Sequence, residues 1–181
     1  MIGEEEEKIT AAKRGTTVHL CMKTLDFSKD YELQDIKDMI QCLVEKKIIT
    51  EKEAEAVNPY HILKFTKSAI WLELREAKEY HKEEPFYINV PASDIQETTC
   101  QENILAQGII DLYYITKDNQ LVLLDYKTDW AKEGEEDILI KRHTSQLMLY
   151  KEALENALGR KVDKIYIYST SLGKEIELTR R

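Results

Sequence analysis

Apolar positions in the first half of the chain recur at helical intervals. In LQDIKDMIQCLVEKK, Leu33, Ile36, Ile40, Leu43 and Val44 fall on one helical face. The segment before it, RGTTVHLCMKTLDF, reads as a helix opened by Gly15-Thr16-Thr17. Thr50 and Glu53 fit a capping box, in which each side chain accepts one otherwise orphaned N–H, and the short helix they open ends near Asn58-Pro59. Leu63, Phe65, Ala69, Leu72 and Ala77 mark a further helical run, broken near Ser68, and helix is expected to about residue 82. After residue 83 the period shortens to two. PFYINVPA reads as a short strand closed by Pro91, residues 92 to 103 as a polar loop, and residues 107 to 116 and 120 to 128 as a hairpin turning at Asp118-Asn119. A helix over about 139 to 158 carries His143, Leu147, Tyr150, Leu154 and Leu158 on one stripe, with Gly159 as its stop. KVDKIYIYST and KEIEL supply two closing strands. Helices followed by β-β-β-α-β-β predict an α/β fold, a sheet flanked by helices with a helical N-terminal region.

Composition narrows the class. A chain of 181 residues fits one domain, and with 33% charged residues and no apolar run near the roughly 18 residues of a membrane span, it reads as globular. The acidic start, MIGEEEEKIT, lacks the apolar core of a secretory signal, and residues 1 to 13 are open between fold and linker. Cys21, Cys42 and Cys100 are too few and too scattered for a disulfide framework or a four-cysteine metal site, which fits a reducing cytoplasm. The net charge of −8 argues against tight autonomous binding to nucleic acid. Trp71, Trp130 and the ten tyrosines are assigned to packing rather than base stacking, since few basic residues flank them.

The hairpin carries the candidate chemistry. A turn at 118 and 119 sets Asp111 opposite Tyr126 and within one residue of Asp125 and Lys127. Alternation puts Asp125 and Lys127 on one face and the Tyr126 ring on the other. Two carboxylates supply hard oxygen ligands for Mg²⁺ or Mn²⁺, and a neighbouring lysine positions a water and offsets phosphate charge, which is the chemistry of phosphodiester hydrolysis. A structural ion cluster is the other reading, although two buried carboxylates against one lysine leave a charge uncompensated. Spacing alone leaves both open.

QGIID followed by LLDYKTD, with a glutamate before Pro85-Phe86 and Q-x-x-x-Y on the next helix, resembles the RecB-type branch of the PD-(D/E)XK nucleases. Gly15-Thr-x-x-His19, LVEKKIITEKEAEAV and KEEPFYINVPA extend the likeness over about Arg14 to Leu178, most closely to the nuclease domain of AddA-type helicase–nucleases. The resemblance implies a restriction-endonuclease-like mixed sheet in a single nuclease domain over 1 to 181. It implies metal ligands at His19, Asp111, Asp125 and the Tyr126 carbonyl, a catalytic Lys127, and a supporting, DNA-contacting pair at Gln146 and Tyr150. Glu83 matches the glutamate before the first strand. The implied cofactor is Mg²⁺, with Mn²⁺ as substitute and no iron–sulfur cluster.

The implied partners are single-stranded DNA, the helicase portion of an AddA and an AddB-type subunit, in the bacterial cytoplasm. The implied role is processing of double-strand break ends for recombinational repair, on the strand ending 3′. No G-x-x-x-x-G-K-[ST] loop is present, so no ATPase motor is expected within this chain. A non-catalytic module for partner docking or DNA sensing and a stand-alone nuclease are the alternatives.

Overall fold

The computed structural model describes residues 9–94 and 102–178; Glu4 to Glu7 and Cys100 lie outside them. Its centre is a five-stranded mixed sheet in the order β1 (Glu79–Pro91), β2 (Asn103–Ile115), β3 (Leu121–Lys127), β4 (Lys164–Ser169), β5 (Lys174–Glu177). All neighbours are antiparallel except β3 and β4, which are joined by the crossover helix α6 (Glu136–Leu158) and run parallel. The α/β fold of a mixed sheet flanked by helices, expected from the element order, is the one observed.

Alternation along the strands divides the core in two. Leu112, Tyr114, Val122, Leu124, Tyr126 and Tyr168 face the layer formed by α1 (Ala11–Thr24), α2 (Leu33–Glu45), α3 (Glu51–Glu55), α4 (Pro59–Phe65) and α5 (Ala69–Arg75). Leu121, Leu123, Ile165 and Ile167 face Leu139, Leu147, Tyr150 and Leu154 of α6. Trp71 is 1% exposed and its ring meets Phe27, Tyr31 and Phe65 edge-on.

Several boundaries differ from the sequence expectation. Helix α1 starts at Ala11, capped by the Thr10 hydroxyl, so Gly15 lies inside it rather than opening it. The break at Ser68 is real, because its hydroxyl caps α5, but it rotates the buried face onto Ile70, Trp71 and Leu74 and leaves Leu72 62% exposed. Strand β1 begins at Glu79, not after residue 83: Glu79 to Lys82 pair with β2, and tertiary pairing overrides a weak helical pattern. Leu158 drops out of the α6 stripe into solvent as the helix passes the end of the sheet, while Gly159 adopts the left-handed C-terminal conformation (φ 64°).

The hairpin register differs by one residue. Thr116 N donates to Gln120 O and Asn119 is left-handed (φ 65°), so the loop has three residues, as turns with a left-handed third position do. Leu112 therefore pairs with Leu124, and Asp111 stands one step beyond, level with Asp125 rather than Tyr126.

Candidate active site

Strands β2 and β3 stay paired only as far as Leu112 and Leu124; beyond that point β2 follows β1, and β3 follows β4. Asp111 fills the fork. Its Oδ2 accepts the Tyr126 backbone N–H at 2.8 Å, a bond that a β2 carbonyl makes lower in the ladder, and its Oδ1 lies 3.2 Å from His19 Nδ1. His19 arrives on α1, which packs closely because Gly15 faces Thr128. A Cβ at Gly15 would meet the Thr128 hydroxyl at 3.0 Å. Glycine inside a helix costs about 0.5–1 kcal/mol relative to alanine, so the close approach explains its presence. Burial lowers the His19 pKa, but the Asp111 hydrogen bond and the charges of Asp111 and Asp125 outweigh it and leave the value raised.

Across β2 from Asp111, the ladder with β1 skips Glu83, which takes a left-handed conformation (φ 54°). The Lys82 amine before it donates to the Lys23 and Leu25 carbonyls, which ties the end of α1 to β1. Burial and then the nearby Asp111 charge raise the Glu83 pKa, with Lys23 and His19 opposing, so this carboxyl belongs to the same electrostatic site. Glu83 therefore lies within β1, not ahead of the first strand.

Asp125 is 2% exposed on the α6 side of the sheet. Burial, then the Asp111 charge, push its pKa up to about 6 against the pull of Lys127 and His19. Lys127 Nζ is 2.7 Å from Asp125 Oδ2, at angles that make an ion pair but not a hydrogen bond, and this buried oxygen has no hydrogen-bond donor among the described residues. The lysine instead donates to Gln146 Oε1 at 2.7 Å, and Gln146 Nε2 donates to the Tyr150 hydroxyl at 2.9 Å. Burial, then the charges of Asp125 and Asp111, push Tyr150 up to about 12, so at neutral pH it keeps an O–H to donate. Gly108 admits the Phe86 ring, whose Cε1 would stand 2.7 Å from an added Cβ, and that ring packs edge-on against Tyr150.

His19, Asp111, Asp125, Lys127, Gln146 and Tyr150 thus form one linked set, with the Tyr126 backbone held inside it and the Tyr126 ring buried on the other face. Among the described residues no three His, Cys, Asp or Glu side chains converge as a ready-made ligand shell. The acids are instead engaged by His19, the Tyr126 amide and Lys127.

An open cleft of about 530 Å³ reaches this set, lined by Arg14, His19, Lys127, Asp129, Trp130 and His143 among others. A larger hollow of about 650 Å³, on another face of α6 beside Met148 and Val162, touches none of the set.

The sequence reading missed what shapes the cleft. Asp129 Oδ1 accepts from Arg142 at 2.9 Å and its Oδ2 lies 3.0 Å from His143 Nε2. The Lys127 carbonyl accepts from Thr170 N, which fixes the end of β3 against the turn after β4. Asp129 was findable, standing two residues beyond Lys127 where strand alternation returns to the same face. Thr170 gave no signal.

Matching the chain against family models returns the PD-(D/E)XK nuclease superfamily over residues 2–178. The chain belongs to the PD-(D/E)XK nuclease superfamily. The Asp125-Tyr126-Lys127 triplet fits the D-x-K of that name, and Asp111 fits its first acid, although Ile110 stands where the name has proline. The chain is also 36% identical to the A-type subunit of an ATP-dependent helicase/nuclease from Clostridium novyi, over 98% of its own length and 15% of that protein. It is 37% identical to the Clostridium botulinum protein of the same name (98% and 14%) and 38% identical to that of Thermoanaerobacter pseudethanolicus (96% and 14%). This PD-(D/E)XK chain therefore spans about a seventh of these relatives' length.

Proposed function

We propose that the chain is a single nuclease domain that hydrolyses DNA phosphodiesters with Mg²⁺ or Mn²⁺, acting on single strands. The observation that carries the reading is the convergence of Asp111, Asp125 and Lys127 at the fork, with a buried Asp125 oxygen that lacks a hydrogen-bond donor. Two carboxylates, an imidazole at His19 and the Tyr126 carbonyl form a donor set that suits a hard divalent cation, and a second charge there would offset the two buried acids. Such a cation supplies Lewis acidity and neutralises phosphate charge.

The chain's own groups do the rest. Lys127 orients the attacking water and faces the phosphate. Gln146 holds the Lys127 amine in place, and Tyr150 fixes Gln146 while keeping a proton to donate toward the strand. His19 bears on the site from the α1 side.

The names of the relatives support a place within an ATP-dependent helicase–nuclease, with an AddB-type protein as partner, in the bacterial cytoplasm. In such a machine the motor would deliver a single strand from a broken DNA end for recombinational repair, which accommodates the net charge of −8. The Lys127–Asp125 ion pair favours one rival, a non-catalytic ion cluster.

Cleavage of end-labelled single-stranded DNA at low salt with Mg²⁺ or Mn²⁺ separates the two. The nuclease reading expects cutting that a chelator stops and that Asp125→Asn or Lys127→Ala lowers at least about 100-fold. A wild-type chain that neither cuts nor binds Mn²⁺ would establish the ion cluster.

A further inference from the structure

Trp130 is 70% exposed, on the rim of the cleft that leads to Lys127. Packing, assigned from the sequence, does not hold for this residue. A tryptophan buries more apolar surface than almost any other side chain, and a mobile loop would tuck it away. This loop is not free to do so. On one side of Trp130 the Asp129 carbonyl accepts from the Ser171 hydroxyl at 2.9 Å, and on the other the Ala131 N–H donates to the same oxygen at 3.3 Å. The backbone is pinned from both sides while the indole is held out to solvent.

The surroundings fit a nucleic-acid strand. Lys132 Nζ lies 5.5 Å from the centre of the indole ring, and Arg14, Lys127 and His143 line the same cleft. Asp129, the acid among them, has its charge answered by Arg142 and His143. The first turn of α1, at Ala11 and Ala12, also faces the cleft with the positive end of its helix. A molecule of net charge −8 thus presents at this mouth a locally basic wall with one rigid aromatic plane.

Resting on the nuclease reading above, we propose that Trp130 is the base-stacking platform for the single strand entering the active site, with Lys132 and Arg14 holding the flanking phosphates. Stacking on an aromatic plane tolerates every base, and the cations follow the backbone, so this wall binds DNA without reading sequence.

Tryptophan emission tests it directly. Trp71 is buried, so quenching by oligothymidylate, in chelator and low salt, reports Trp130. We expect the quench in the wild type and none in Trp130→Phe. In cleavage assays Trp130→Ala should raise KM about tenfold, with the loss falling on KM rather than kcat, and Trp130→Phe should recover most of it. An abasic tract in the substrate should weaken the wild type by a similar factor and leave Trp130→Ala indifferent. The side chain is exposed, so thermal melts of the variants should match the wild type.

Equal use of abasic and normal strands by the wild type, or no quench, overturns the platform. If the wild type still cuts normal strands in that case, only the platform falls. If it cuts none, the nuclease reading falls with it.

Discussion

Asp125 shows how one residue is tuned against the fold that holds it. Its carboxyl, with a pKa of about 6, binds a proton more tightly in the folded chain than at the ordinary 3.8. Stability contributed by the neutral acid is therefore lost as pH rises from about 4 to 6, and the full penalty stands at pH 7. Asparagine keeps the volume and removes the charge. Asp125→Asn should stabilise the metal-free chain by on the order of 1–3 kcal/mol at pH 7, with the gain shrinking toward pH 4, as read by urea denaturation at both values. The same variant should lose cleavage. A purely structural ion pair predicts the opposite, because removing one partner would leave Lys127 with an unanswered charge.

Among the elements, α1 and α6 act as rigid arms that carry His19 and Gln146 to the fork. The approach of α1 depends on Gly15, so Gly15→Val should push the helix off Thr128 and cut activity at least about tenfold, while far-UV circular dichroism changes little. The end of α6 is tied down by Glu155, which accepts from Val162 N at 2.9 Å and pairs with Lys151 and Lys161. These bonds outweigh the opposing effect of burial and depress the Glu155 pKa to about 2. The sign is opposite to that of Asp125: the stabilisation is complete above the ordinary 4.5 and disappears as pH falls toward about 2. Glu155→Gln should cost about 1 kcal/mol at pH 7, with solvent around the lysines limiting the effect, and nearly nothing at pH 2.5. Thermal melts at the two values check this.

Element types were legible wherever the pattern was long. Leu33, Ile36, Ile40 and Leu43 announced α2, and Thr50 with Glu53 announced the cap of α3. The start of β1 was not legible, because Glu79 to Lys82 become a strand only through their partners on β2. Nor was the three-residue turn, which hangs on the left-handed conformation of Asn119.

Across the whole molecule, one sheet serves as the common floor of two cores, so the α1–α5 layer and α6 should unfold together in one transition. The site lies where the two layers meet the sheet, and a cation bound there stabilises both. Mn²⁺ at a hundredfold excess over its dissociation constant should add about 2.7 kcal/mol, several degrees in melting temperature. Scanning calorimetry should show that shift as a single peak in the wild type and no shift in Asp125→Asn.

The sequence by itself determined the α/β class, the order of elements and the residues that bear the chemistry, because periodicity and capping are local and the acids, lysine, glutamine and tyrosine stand in recognisable spacings. Only the tertiary structure decided which acids stand level, that Glu83 turns toward Asp111, that Asp125 is buried enough to resist ionisation, and that Trp71 is core while Trp130 is displayed. Those depend on strand register, burial and a hydroxyl at Ser171 far along the chain, and a linear pattern carries none of the three.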